Sequence, residues 1–268
     1  MIIQSKQINL SSSQSKIKSS KHSNLYFELS GLVSYEQNVL YNAVSVTHAE
    51  IPVSYYIINE SNNTLYLSTG IYTLNKGNYT ANDFIAMIKS ILPSGFNISL
   101  NKFDGKFTLS YTEMFQILNY STCYTLMGFE KNQIYISDAN NKILMPYPCN
   151  FLGINRILIR SNIFSTQNYD SNGRSTILCS IPVNEPPYSL IVYNNFSNFK
   201  SFIHNTDINY IDLQITDDSS NLLDFNNIEI NLTLQIDTYY KEIPKNTYLS
   251  QLYDTKKQNN IDNKSETK

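Results

Sequence analysis

The chain has no tryptophan, three arginines and three cysteines in 268 residues, and only eight glycines and eight prolines. The cysteines, Cys123, Cys149 and Cys179, are an odd number at wide spacings with no CxxC pair. Neither a disulfide framework nor a zinc site fits that pattern, so they read as buried reduced thiols. Glycine is scarce, and neither GxxxxGK[ST] nor GxGxxG occurs, which leaves no phosphate-cradling loop for a nucleotide-driven enzyme. The three histidines, His22, His48 and His204, form no HExxH or HxH pair, and no GxSxG elbow is present. Each reads as a solvated or hydrogen-bonded structural histidine. Glu28 and Glu36 have no evident partner constellation, and a glycosidase carboxylate pair, which meets only in space, is not readable from sequence. No cofactor or metal is expected, and the chain reads as a non-enzyme. Apolar runs are only a few residues long, far short of the roughly 18 needed to cross a bilayer. The opening MIIQSKQINLSSSQSKIKSSKHS has no apolar signal-peptide core and no small-residue cleavage site. The protein is therefore expected to be made and used without secretion.

What is abundant is aromatic and β-forming: 21 tyrosines and 13 phenylalanines, within a hydrophobic fraction of 41% that can build a sizeable core. Lysine outnumbers arginine by 17 to 3, and Asn and Ile are frequent, a bias that suggests an AT-rich genome. Sequons such as Asn78-Tyr79-Thr80 and Asn231-Leu232-Thr233 are expected by chance in so Asn- and Ser-rich a chain. Charge is uneven. Residues 1–24 carry Lys6, Lys16, Lys18 and Lys21 without an acid, for +4; residues 25–240 sum to −8 and residues 241–268 to +2. An acidic body with a basic arm suits contact with a polyanion or an acidic partner. The alternative is that the lysines only keep a polar tail soluble. An acidic body without an arginine-rich, aromatic-interleaved stripe does not suit a nucleic-acid platform.

Period-2 alternation dominates and predicts strands at Val39–Thr47, Val53–Ile58, Thr64–Ser68, Ile98–Asn101, Lys106–Tyr111, Ile154–Arg160, Ser175–Pro182, Tyr188–Tyr193, Ile208–Ile215 and Ile228–Thr238. Asp104-Gly105 is the sharpest hairpin signal. One helix is predicted in TANDFIAMIKSILP, with Thr80 as N-cap, Asp83 at N3, an apolar stripe of Phe84, Met87, Ile88, Ile91 and Leu92, and Pro93 as the stop. A shorter helical turn is predicted in STCYTLMGF at 121–129. Many short antiparallel strands and no internal repeat predict an all-β sandwich or barrel. Residues 1–24 read as a flexible basic arm, 25–245 as the β domain with a helix–hairpin–short-helix insertion at about 79–129, and 246–268 as a flexible tail.

Residues 215–227, ITDDSSNLLDFNN, gather Asp217, Asp218 and Asp224. The spacing is wrong for an EF-hand and the position-6 glycine is missing. Both flanks alternate like strands, with Ile228, Ile230, Leu232, Leu234 and Ile236 on one face of the second. The aspartates are therefore expected to cap a turn rather than hold a cation.

Several segments, in order, resemble the penton, or minor capsid, proteins of virophages, polinton-like elements and large icosahedral DNA viruses. They are SVTHAEIPVSYYIIN (45–59), GNYTANDFIAMIKSIL (77–92), LMGF (126–129) and INRILIRSNI (154–163), and at the end Ile211–Asp217, Leu223-Asp224-Phe225 and Leu232–Ile236. The resemblance covers about residues 25–240. It departs where the family's final strand often opens with an aromatic and this chain has Ile228 or Ile230. The resemblance implies a single jelly-roll β-sandwich of eight antiparallel strands. It also implies a structural virion protein that forms homopentamers closing the icosahedral vertices, amid double-jelly-roll major capsid proteins. Assembly would take place in the host cytoplasm. The arm lysines Lys6, Lys16, Lys18 and Lys21 would then face inwards, to packaged DNA, an inner membrane, or another minor capsid protein. The competing reading is a β-sandwich receptor- or glycan-binding surface or fibre domain, since jelly rolls host those too. A cupin-type enzyme would need clustered His and carboxylate ligands that three scattered histidines do not supply.

Overall fold

The computed structural model describes residues 2–164, 168–170, 173–203 and 207–241. It divides into two compact units, one built from Met1–Ser54 with Arg156–Lys268, the other from Tyr55–Asn155. In chain order the first unit opens with β1 (Ile2–Ser11), β2 (Asn24–Val33) and β3 (Val39–Pro52). The second unit holds β4 (Thr64–Leu67), β5 (Gly70–Thr73), α1 (Ala81–Ile91), β6 (Asn97–Leu100), β7 (Phe107–Ser110), β8 (Gln116–Ile117), α2 (Tyr124–Met127), β9 (Tyr135–Ile136) and β10 (Lys142–Leu144). The chain then returns to the first unit with β11 (Arg156–Arg160), the small β12 (Asn168–Asp170) and β13 (Gly173–Ser175) pair, β14 (Ile177–Pro182), β15 (Leu190–Asn194), β16 (Ser201–Ile203), β17 (Ile208–Thr216) and β18 (Asn231–Tyr240). No helix among the described residues is long and apolar enough to cross a membrane.

The first unit is the jelly roll that the resemblance implies, one form of the sandwich that the alternation predicts. One sheet runs β1-β18-β3-β15 with β16 also on β3, and the other runs β14-β11-β17-β2. β15 pairs with residues 48–52 of β3 and β16 with residues 42–44, so the two are one edge strand interrupted by a loop. Counted that way, and apart from the β12–β13 hairpin, the strands fall in the order 1-8-3-6 in one sheet and 5-4-7-2 in the other. That is the double Greek key of a jelly roll. Alternation explains the packing. Ile211, Leu213 and Ile215 of β17 and Leu232, Leu234 and Ile236 of β18 are all buried at 2% exposure or less. Each such side chain contributes roughly 1.5–3 kcal/mol on leaving water. Ile230 belongs to this face as predicted, whereas Ile228 is half exposed.

Three expectations change. Residues 2–11 are not a flexible arm: they pair with β18 over ten registered positions, from Ile2 opposite Tyr240 to Ser11 opposite Asn231. The rest of the 1–24 segment is stitched to the body as well. Ser12 N–H donates to the Ile230 carbonyl (3.0 Å) and the Asn227 and Phe225 N–H groups donate to the carbonyls of Ser20 and Lys21 (2.8 and 3.0 Å). The strand was hidden because an edge strand is held by backbone pairing; among its described side chains only Leu10 is buried. Val53–Ile58, predicted as a strand, is irregular, and only Ile58 forms a bridge, to Gly77. The insertion is also wider than 79–129, because β4 pairs with β8 and β8 with β9, which draws both flanks into one unit.

That second unit has its own core. α1 starts at Thr80, where a capping box joins the Thr80 and Asp83 side chains to each other's backbone N–H. The hydrogen bonds from Thr80 hold the Asp83 carboxyl below its ordinary value. Phe84, Met87 and Ile88 face inward beside Phe107, Leu109 and Phe115. The hairpin of β6 and β7 turns where Asp104-Gly105 predicts it, with Gly105 at φ +69 and its N–H bonded to the Asn101 carbonyl at 2.9 Å. α2 occupies the predicted short-helix position and ends at Gly128, φ +81. Thr80→Ala should cost about 1 kcal/mol, the usual worth of such a cap, read as a lower melting temperature together with faster amide exchange in the first turn of α1.

Candidate functional site

The acidic stretch is a turn with two caps and one ion pair. Asp217 Oδ1 accepts from the N–H groups of Ser219 and Asn221, each at 2.8 Å, and Oδ2 accepts from Asn221 Nδ2 at 2.9 Å. Asp224 Oδ1 accepts from Asn226 N–H at 3.0 Å. Asp218 departs from the expected capping role: its carboxylate pairs with the Arg156 guanidinium on β11. The Leu223-Asp224-Phe225 step then pins the turn to the sandwich. Phe225 is fully buried, its carbonyl accepts from Ser54 Oγ (2.7 Å), and Leu223 N–H donates to the Ile215 carbonyl (3.1 Å). Among the described residues, no three His, Cys, Asp or Glu side chains gather where a metal could be held.

The other candidates scatter. His22 Nδ1 lies 2.9 Å from Ser12 Oγ and its Nε2 3.4 Å from Asn227 Oδ1, linking the β1–β2 connection to the end of the acidic turn. His48 Nδ1 is 2.9 Å from Asn194 Oδ1, and its Nε2 is 3.7 Å from Glu50. His204 lies outside the described residues. Burial pushes the Cys123 thiol up to about 12, and burial raises Cys149 and Cys179 as well. Protonated at neutral pH, these thiols are poor nucleophiles and poor metal ligands. Glu28 pairs with Lys16 at 3.3 Å on the surface.

The lysines of the N-terminal segment lie on stitched backbone. Lys6 Nζ donates to the Leu32 carbonyl at 3.4 Å and Lys18 Nζ to the Ser13 carbonyl at 2.8 Å, while Lys16 meets Glu28. Lys21 uses its backbone, with N–H to Ser19 Oγ (3.2 Å) and carbonyl to Phe225. Lys6 lies on β1, and Lys16, Lys18 and Lys21 lie on the connection from β1 to β2.

Two features of the outward face of the β1-β18-β3-β15 sheet were not readable in the sequence. The first is a buried ion pair. Asp237, with its side chain only 1% exposed, receives Lys200 Nζ at 2.6 Å, Ser5 Oγ at 2.5 Å and Gln235 Nε2 at 2.8 Å. Burial works to raise its carboxyl, but these hydrogen bonds outweigh it and hold the group below its ordinary value. The bond to Asp237 raises Lys200 in turn. This pair ties three elements together: the edge strand β1, β18, and the loop that joins β15 to β16. The second is aromatic. Tyr239 stacks on Tyr41 at 4.4 Å, and Tyr41 meets the edge of Phe202 at 5.2 Å. Leu190 and Val192 are exposed towards the other end of this face, opposite Pro52 and Glu50, and Phe196 and Phe199 are exposed in the loop between β15 and β16. A single Asp in a strand and phenylalanines in a loop carry no sequence signal of their own.

No protein-family model matches the chain, and no curated relative does either. Among solved structures the chain is similar to the mavirus penton protein, at 16% identity over 88% of this chain and 100% of that one, with a TM-score of 0.45. It is also similar to a chain in the cryo-EM structure of the Sputnik virophage, at 13% identity over 89% of this chain and 98% of that one, with a TM-score of 0.42. The jelly-roll assignment rests on this chain's own strand pairing.

Proposed function

We propose that this chain is a structural virion protein of the penton, or vertex minor capsid, class. The observation that carries the reading is the ordered set of segments that resembles that class, set on the matching frame. The final segments, Ile211–Asp217, Leu223-Asp224-Phe225 and Leu232–Ile236, are the seventh strand, the capped turn and the eighth strand of the jelly roll. The earlier segments flank and fill the unit inserted between the third and fourth strands. The chemistry is that of a scaffold: capped turns, protonated thiols, and His22 and His48 tied into hydrogen bonds.

In this role the protein forms closed pentameric rings through a heterologous interface, in which one patch of each copy meets a different patch of the next. The ring sits among double-jelly-roll major capsid proteins in the virion, and assembly takes place in the host cytoplasm. Lys6, Lys16, Lys18 and Lys21 supply the contact to packaged DNA, an inner membrane or an acidic neighbour. Because residues 2–24 are part of the jelly roll, charge reversal tests that contact better than deletion does. Lys16→Glu, Lys18→Glu and Lys21→Glu together should lower particle yield while leaving the melting temperature within a few degrees of the parent; normal yield would remove these lysines from assembly. The class itself is tested by light scattering and negative-stain electron microscopy of purified protein, alone and with the major capsid protein. Pentameric rings are expected. A stable monomer in both conditions, with measurable glycan affinity, would favour the surface-domain reading instead.

A further inference from the structure

A bulge on β3 decides which way His48 points. Val44 and Val46 on one side of it are buried, and so are Ala49 and Ile51 on the other. The buried set thus passes from even to odd positions. The register against β18 shifts at the same place, with Thr233 opposite His48 and Leu234 opposite Val46. Thr47 is the extra residue, and a bulge of this kind re-aims the side chains beside it. Without it His48 and Glu50 would enter the core. With it both stand on the outward face of the β1-β18-β3-β15 sheet, their side chains 35% and 42% exposed.

The flanking strands then orient the pair. His48 Nδ1 lies 2.9 Å from Asn194 Oδ1 on β15. That carbonyl oxygen only accepts, so Nδ1 carries a proton, and in the neutral ring Nε2 keeps its lone pair. Nε2 faces Glu50 Oε1 at 3.7 Å, beyond the roughly 2.7–3.2 Å of a hydrogen bond. The other carboxylate oxygen, Oε2, accepts from Asn231 Nδ2 on β18 at 3.2 Å.

Two ligand atoms on one zinc-sized ion, each at about 2.0–2.1 Å and at a tetrahedral angle, stand about 3.4 Å apart. The gap between Nε2 and Oε1 is therefore closer to a metal's bite than to a shared proton's. The surroundings agree. A ligating imidazole donates its second N–H to a carbonyl or carboxylate, and a ligating carboxylate is itself hydrogen-bonded, as Asn194 and Asn231 arrange here.

We propose that His48 Nε2 and Glu50 Oε1 bind one divalent ion of the zinc, nickel and copper group, with water in its remaining positions. Imidazole favours these ions, whereas magnesium and calcium take oxygen ligands. With two protein donors the ion exchanges readily, unlike a closed structural zinc. Bound, it stiffens the junction of β15, β3 and β18, because both ligands are tied to the flanking strands. The site is independent of the vertex role.

The test uses the full chain carrying His22→Gln and His204→Gln, in which His48 is the sole histidine. Calorimetric titration with zinc chloride should show one saturable site per chain, and magnesium chloride should show none. Adding His48→Gln should abolish the zinc site, and adding Glu50→Gln should weaken it several-fold, with the circular dichroism unaltered. Should either variant misfold, the ring decides without them: nitrogen NMR of the sole imidazole should place the proton on Nδ1, and zinc should move Nε2 while Nδ1 stays protonated. The absence of saturable zinc binding overturns the proposal and leaves a plain His–Glu contact. So does zinc affinity that survives His48→Gln, which marks an adventitious ion only, or that is indifferent to Glu50→Gln, or zinc that binds through Nδ1.

Discussion

Replacing Phe107 with alanine should destabilise the Tyr55–Asn155 unit by about 3–5 kcal/mol, the range for removing a large ring from a packed core. Phe107 is fully buried, with the Phe84 ring centroid at 5.6 Å and the Phe151 ring edge-on at 6.3 Å. It joins α1 to the β6–β7 hairpin, and its carbonyl also accepts from Met145 N–H at 2.9 Å, so β7 holds the return of β10 as well. Few neighbours can move to fill the gap. Phe84 is fixed on a capped helix, and Leu109 and Phe115 are themselves at 1% exposure or less. Hydrogen exchange read by mass spectrometry on peptides across 81–117 should show protection falling by the corresponding roughly two to three and a half orders of magnitude, since about 1.4 kcal/mol is tenfold. Phe107→Leu should recover most of it. Wild-type protection in the alanine variant would mean that the helix and the hairpin are not held by a shared core.

How far such a core could be foreseen depends on whether its cause is local. The α1 stripe and its Thr80 cap, the turn at Asp104-Gly105, and the alternation of β17 and β18 are set by neighbours in sequence, and each was legible. β1 was not, because Gln4, Ser5, Lys6, Gln7 and Asn9 describe a polar arm until β18 is seen to complete their hydrogen bonds. β2 carries a clear Leu25–Phe27 alternation, but Gly31 at φ +66 and the register shift between Ile208 and Tyr210 break its later half. That β15 and β16 are one strand depends on β3, whose length no window around residue 195 reveals. The candidate site divides the same way. The caps of Asp217 and Asp224 are contacts within a few residues and follow from turn chemistry. The partner of Asp218 is 62 positions away, and that of Asp237 is 37. No local spacing rule reaches either.

The largest effect on the outward sheet face should come from Asp237→Ala, roughly 3 kcal/mol at neutral pH, at the low end of about 3–5 for severing a buried pair. The low end applies because the Lys200 side chain is 20% exposed and regains some water when its partner is removed. The pH dependence follows from the two shifts. The Asp237 carboxyl sits below its ordinary value in the folded protein, so its contribution is present above the unfolded value of about 3.9 and fades as pH falls through the lower folded value. Lys200 sits above its ordinary value, so its contribution is complete below about 10.4 and fades as pH rises through the raised folded value. The stability difference between parent and variant should therefore be a plateau from about pH 5 to 9 that narrows in stronger acid and stronger base. Ser5 bonds the same carboxylate from β1, so amide exchange across residues 2–9 should quicken in the variant along with the 195–200 loop. Urea titrations at several pH values give the plateau, and exchange gives the coupling. An Asp237→Ala penalty as large at pH 2 as at pH 7 would mean that packing, and not the carboxylate charge, fastens the edge strand and the aromatic loop to the sheet.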